Sequence, residues 1–144
     1  MTQVVYNVGK KSDINWATAD IRVLLLGGTS MPAGCLDPDL ATVAAVLAVS
    51  GAAECNATNY ARKTTTRTDT ADNTNDRANQ ALSAAVTWTA LGGATNDTVR
   101  GYLFYLYNAS DSSAIPIMAE SLAAGIPTNG TNLVMAAQDY IRVS

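Results

Sequence analysis

The hydrophobic and polar positions of this chain fall into short blocks, and most of them carry the two-residue period of a β-strand. Residues 3–8 form a first β-prone run, followed by a polar, irregular stretch over 10–17. Residues 20–26 read Asp-Ile-Arg-Val-Leu-Leu-Leu and stop at Gly27-Gly28, which predicts a strand with a buried centre. Asp37-Pro38-Asp39 opens the one predicted helix, over 38–49. Asp37 is its N-cap, Pro38 takes the first helical position and Asp39 complements the positive helix end. From 56 to 70 the chain turns Thr-rich, which disfavours helix and suits a long, solvated or interfacial strand. Tyr60, Arg62, Thr64 and Thr66 share one face of that strand, and neither face is strongly apolar. Residues 69–79 form an Asn/Asp-rich connection.

The second half is more plainly β. Residues 85–91 place Val86, Trp88 and Ala90 inward and Thr87 and Thr89 outward before Gly92-Gly93. Residues 98–107 form the strongest strand, with Val99, Leu103, Tyr105 and Tyr107 on one face and Tyr102, Phe104 and Leu106 on the other. A strand apolar on both faces belongs at the centre of a sheet, covered on both sides. Residues 114–119 follow, with Pro116 marking an edge or bulge position. A Thr128-Asn129-Gly130-Thr131 turn then leads into β-prone segments at 132–136 and 140–143. The expected architecture is mainly β: a β-sandwich or barrel-like domain with one short α-helix. Residues 1–18 form an N-terminal arm and residues 19–144 a single domain. The arm either lies on a neighbouring subunit or closes the domain's own sheet.

Composition sharpens this picture by exclusion. The 144 residues suit one domain, able to bury about two thirds of its unfolded surface without metals or disulfides. The net charge is −3, and the nine Lys and Arg are scattered, with adjacent pairs only at Lys10-Lys11 and Arg62-Lys63. Nucleic-acid binders carry a basic patch or stripe, so no nucleic-acid partner is expected. No basic segment leads into an apolar one at the N-terminus, and the longest apolar stretch, 40–49, is far short of a membrane span. The expectation is a soluble protein made in the cytoplasm, with no membrane partner.

The chain contains no His, which removes Ser-His-Asp triads, Cys-His dyads and His-metal sites. Asp69, Asp72 and Asp76 superficially resemble a calcium loop, but the central Gly and terminal Glu of that motif are missing, and a solvated turn explains them better. Cys35 and Cys55 read as two buried thiols, with a disulfide between them the lesser alternative. The Gly pairs build no phosphate-binding loop and read as strand terminators. Four N-x-S/T triplets, at Asn56, Asn96, Asn108 and Asn129, follow from the Asn/Thr-rich composition. Tyr102, Phe104, Tyr105 and Tyr107 make either a carbohydrate-stacking platform or, more ordinarily, core and interface packing. The chain therefore reads as non-enzymatic, without cofactor.

Several stretches in order carry a resemblance: Ala-Asp-Ile-Arg-Val-Leu-Leu-Leu (19–26), Ala-Thr-Asn-Tyr-Ala-Arg-Lys (57–63), Val-Thr-Trp-Thr-Ala-Leu-Gly (86–92), Tyr-Leu-Phe-Tyr-Leu-Tyr (102–107), Ile-Pro-Ile (115–117) and Gln-Asp-Tyr-Ile-Arg-Val-Ser (138–144). Together they resemble the head decoration and minor capsid proteins of tailed bacteriophages. The resemblance implies a structural virion protein on the capsid surface, bound to the major capsid protein, in many copies and commonly as homotrimers. A tail-tube or head–tail connector subunit and a host-glycan-binding module are the alternatives. The expected partner contacts are the arm over 4–16, with Val4, Val5, Tyr6 and Trp16, together with Arg62 and Arg67 as ion-pair donors, and Tyr102 and Tyr105.

Overall fold

A computed structural model describes residues 1–11, 18–72, 77–137 and 139–143. Its framework is antiparallel β. β1 (Thr2–Val5), β2 (Ile21–Leu26), β3 (Lys63–Thr64), β7 (Thr98–Leu106) and β8 (Ile115–Pro127) form one sheet in the order β1-β8-β7-β2-β3. β4 (Arg67–Asp72), β5 (Arg77–Leu82) and β10 (Asp139–Val143) form a second, with β5 in the middle. β6 (Val86–Leu91) and β9 (Thr131–Met135) pair as a third. Two five-residue helices, α1 (Asn7–Lys11) and α2 (Val43–Leu47), and a 3-10 turn at Ala33–Leu36 complete the described elements.

The five-stranded sheet is covered on both faces, as its sequence requires. β7 lies at its centre and its side chains alternate. Tyr102 and Phe104 enter one core, and Leu103 and Tyr105 the other. β2 does the same, with Ile21, Val23 and Leu25 on the first side and Leu24 and Leu26 on the second. The first core is closed by the β6–β9 pair through Val86, Trp88, Leu91 and Met135. This is sandwich packing of sheet on sheet. The second core is closed by α2, the 3-10 turn and Tyr6, through Val43, Val46 and Cys35. Gly9 lets α1 lie against β8, since a Cβ there would stand 3.0 Å from the Pro116 carbonyl.

The start of the arm closes the chain's own sheet. β1 pairs antiparallel with β8 from Thr2 opposite Ser121 to Val5 opposite Met118. Val4 and Val5 are half-buried and pack against opposite cores, as the strand period demands. Trp16 lies outside the described residues, as do the other residues of 12–17.

Several expectations need correction. The helix over 38–49 is only Val43–Leu47. Asp37 is extended, and its carboxylate accepts from the Asp39 backbone 3.0 Å away, a local turn that competes with capping. Thr42 caps the helix instead, accepting from Ala45 N–H at 3.1 Å. The Thr-rich strand is broken into β3 and β4. At the break Thr65 is buried, and its hydroxyl donates to the Ile21 carbonyl at 2.8 Å. The 69–79 connection is largely a strand pair, with β4 in register with β5 from Arg67–Leu82 to Asp72–Arg77. Val99 faces the core of Tyr102 and Phe104, because the β7–β8 register shifts between Val99 and Gly101. Leu91, not Ala90, is the inward residue at the end of β6, where another shift falls between Trp88 and Leu91. Pro116, by contrast, sits at a bulge, one of its two expected positions, opposite Tyr105 in a strand paired on both sides.

Candidate functional site

Most of the residues expected to touch a partner are engaged within the chain. Tyr6 is fully buried and its hydroxyl donates to the Cys35 carbonyl. Burial is the main reason its phenol titrates well above the ordinary range. Tyr105 is also fully buried. Tyr102 is nearly so, edge-on to Phe104 with ring centres 5.8 Å apart, and its hydroxyl donates to a Glu120 carboxylate oxygen at 2.6 Å. Tyr107 is half-buried under the Arg22 guanidinium, 3.5 Å from its ring centre. The four aromatics thus divide between the two cores and form no shared exposed platform. That argues against carbohydrate stacking.

Arg62 is likewise turned inward. Its guanidinium grips Glu54 through Nε at 2.7 Å and Nη2 at 2.6 Å, and reaches Asp111 through both terminal nitrogens. The Tyr60 hydroxyl donates to Glu54 at 2.6 Å and accepts from Leu25 N–H at 3.2 Å. This cluster ties the loop before β3, the segment after α2 and the turn before β8. It also caps the edge of β2 beyond its short pairing with β3. Glu54, then Asp111, holds the Arg62 charge firmly, and the guanidinium in turn holds the Asp111 carboxyl below the usual range. Arg67 donates to the Ala19 carbonyl at 3.0 Å.

Asp97 is a second tie that the sequence did not single out. Burial pushes its carboxyl up, but N–H donors from Gly28, Asn56 and Thr98 outweigh that and hold it below the usual range. Its own backbone N–H donates to the Thr128 hydroxyl at 2.7 Å, and its carbonyl accepts from Thr128 N–H at 2.8 Å. One residue therefore locks three loops and the start of β7. Gly92 completes this end with φ +95°, where a Cβ would meet the Asn129 nitrogen at 2.8 Å.

The chemistry available in these ties is structural. Among the described residues no three His, Cys, Asp or Glu side chains gather to hold a metal ion. The side chains of Asp69, Asp72 and Asp76, the suggested calcium loop, lie outside the described residues. Cys35 and Cys55 are free, buried thiols in different cores, and burial raises both thiol pKa values.

Among the described residues one apolar surface remains open. Among the described residues the exposed large apolar side chains are Met1, Ile126 and Val134, at 80%, 40% and 55% exposure. All three ring a single groove of about 220 Å³ between β8 and β9, floored by Trp88 and Tyr102 with Glu120 on its wall. No sequence signal marked it, because residues 120–127 are Ala- and Gly-rich and carry no strand period. Comparisons with protein-family models, with curated proteins and with solved structures return no match.

Proposed function

We propose that this chain is a non-enzymatic structural protein of a tailed-bacteriophage virion, a capsid decoration or stabilisation protein that binds the outer surface of the major capsid lattice, with its copies grouped as trimers around three-fold positions. One observation carries this reading. Three of the perturbed ionisable groups, Arg62, Asp111 and Asp97, each brace loops far apart in sequence, rather than converging on an open cleft. Catalytic sites place such groups where a substrate can reach them. Here they stiffen a small body whose sheet is covered on both faces, a design suited to a part that bears mechanical load. The inward aromatics favour this reading over a glycan-binding module.

The test is to locate the protein in a reconstruction of the virion whose genome encodes it. Many copies on the outer shell, at three-fold or quasi-three-fold positions, are expected, with virions lacking the protein losing infectivity at lower temperature. A single six-fold ring at the portal vertex, or density along the tail tube, overturns the proposal in favour of a connector or tail-tube subunit.

A further inference from the structure

The chain between Pro38 and Ala53 covers the helical face of the sheet and is pegged at its two ends. The Pro38 carbonyl accepts from Asn7 N–H at 2.8 Å, and the Ala53 carbonyl from Gly27 N–H at 2.9 Å. Between the pegs lies α2. Apart from its own helical and cap bonds, its N–H groups reach one place among the described residues, the turn before β8. Val43 N–H donates to the Ala114 carbonyl at 3.0 Å and Ala44 N–H to that of Asp111 at 2.9 Å. The turn closes on itself, with Ala114 N–H on the Ser110 carbonyl at 2.8 Å. α2 and residues 110–114 are therefore one hydrogen-bonded piece. Gly51, at φ +82°, bends the chain between α2 and the Ala53 peg.

Two contributions hold this piece down, and one group opposes them. The first is apolar. The fully buried side chains of α2 are Val43 and Val46, packed in the core of Leu24, Leu26 and Leu103. They are small beside the Trp88 that closes the other face. The second is the Arg62 guanidinium, which bonds Asp111 through both terminal nitrogens and is anchored on Glu54. Asp111 belongs to the movable side, since its carbonyl carries Ala44. Glu54 belongs to the sheet side, since it bridges to Leu26 of β2. The opposing group is Tyr105. Its hydroxyl is buried in this core without a hydrogen-bond partner among the described residues. Arg62 stands 5.5 Å from its ring centre but turns its N–H groups to Glu54 and Asp111. A buried hydroxyl left unpaired costs free energy, and opening returns it to water.

We infer that α2 and the 110–114 turn form a lid over the helical face, latched by Arg62 onto Asp111, which opens as a unit while the sheet and the β6–β9 layer stay folded. Pieces with few buried apolar side chains open at a lower free energy than the whole domain. Opening uncovers Leu24 and Leu26 of β2 with Leu103 and Tyr105 of β7, so the latch governs when that face meets solvent. The inference does not rest on the virion reading. A lid that opens in solution stands wherever the protein is located, and a capsid location stands whether or not the lid opens.

The two buried thiols report on the two faces. Cys35 lies under α2, its Sγ 3.8 Å from the Val46 carbonyl, whereas Cys55 lies in the opposite core. The test exposes the full chain to dithiobis-nitrobenzoate at neutral pH without denaturant and follows each cysteine by peptide mass spectrometry. When opening and closing are fast, labelling tracks the open population. Cys35 is expected to react well before Cys55. Asp111→Asn cuts the latch but keeps the backbone bond to Ala44, and should raise the Cys35 rate roughly five- to tenfold while leaving that of Cys55 unchanged. Tyr105→Phe removes the unpaired hydroxyl and should slow Cys35 alone. A Cys35 rate no higher than that of Cys55 in the parent chain means that both are reached by global unfolding, and overturns the proposal without recourse to any variant. So does a ratio of the two rates that neither substitution changes.

Discussion

The two faces of the central sheet are both buried, but by different means. One face is covered by α2, the 3-10 turn and Tyr6, pieces of chain too short to hold shape alone, and the Tyr6 hydroxyl and the Arg62 cluster fasten them down. The other is covered by the β6–β9 pair, whose largest contribution is one side chain, Trp88, fully buried with its indole N–H on the Ala61 carbonyl at 2.8 Å. The helical face is closed by many small polar ties. The strand face is closed by bulk, and it leaves a gap along β8. Short helices are marginal without tertiary support, so polar fastening accompanies them. A strand pair brings its own ladder and can afford an open margin.

The sharpest way to break this comparison is Trp88→Ala. Removing the buried indole should cost about 3–5 kcal/mol, measured as a lowered midpoint in equilibrium urea unfolding. That is a large share of the roughly 5–15 kcal/mol typical of a domain. A loss below about 1 kcal/mol would mean that bulk does not hold the β6–β9 layer on the sheet.

Tyr6→Phe probes the opposite face at smaller scale. It keeps the buried ring but leaves the Cys35 carbonyl without its donor, a loss expected at about 1–3 kcal/mol. The same unfolding measurement applies. An unchanged midpoint would show that ring packing alone seats the 3-10 turn, and that polar fastening is not what distinguishes this face.

The contrast also reaches pH. Asp97 and Asp111 are both held below the ordinary carboxylate range in the folded chain. The unfolded chain therefore takes up these protons first as pH falls. The stability they contribute is present above the unfolded value, near pH 4, and is lost as pH drops through their lower folded values. Unfolding midpoints should fall steadily below about pH 4, and Asp97→Asn should flatten that acid limb while lowering stability at neutral pH. A limb equally steep in the variant would remove Asp97 from the account. Asp111 shares its charge with a partly solvated pair, so its own share is the smaller.

What the sequence made legible follows the same division. β2 and β7 were plain because apolarity on both faces has one structural solution, the middle of a covered sheet. The turn at Asn129-Gly130 was plain because it is written in adjacent residues. The ties were not, since Arg62 meets Asp111 across 49 positions and Asp97 meets Gly28 across 69. Periodicity carries no record of such pairings. Register shifts were equally silent, and a single one moved Val99 to the other core. Asp37 and Thr42 both look like helix caps, and only the competing local bond at Asp39 decides between them. The second half of β8 carries no strand signal, so the groove it borders was invisible too. Tyr6 was expected as a contact because it lies in the arm and Arg62 because it lies on a polar strand, yet here Tyr6 bonds to the Cys35 carbonyl and Arg62 to Glu54 and Asp111.

The smallest effect tests whether the open margin belongs to folding at all. Val134 lies on β9 opposite Thr87, pointing away from the core that Leu133 and Met135 help to fill. It is more than half exposed, whereas Val46, on the helical face, is fully buried. Val134→Thr keeps the β-branched shape that suits a strand and removes only apolar surface facing water. Its effect on unfolding should stay within about 0.5 kcal/mol, while Val46→Thr, which places a hydroxyl in a closed core, should cost about 1–3 kcal/mol. If Val134→Thr were as damaging as Val46→Thr, the groove would be part of the folding core, and its exposed apolar ring would need no partner. If it is neutral, folding does not account for the apolar side chains gathered around that gap.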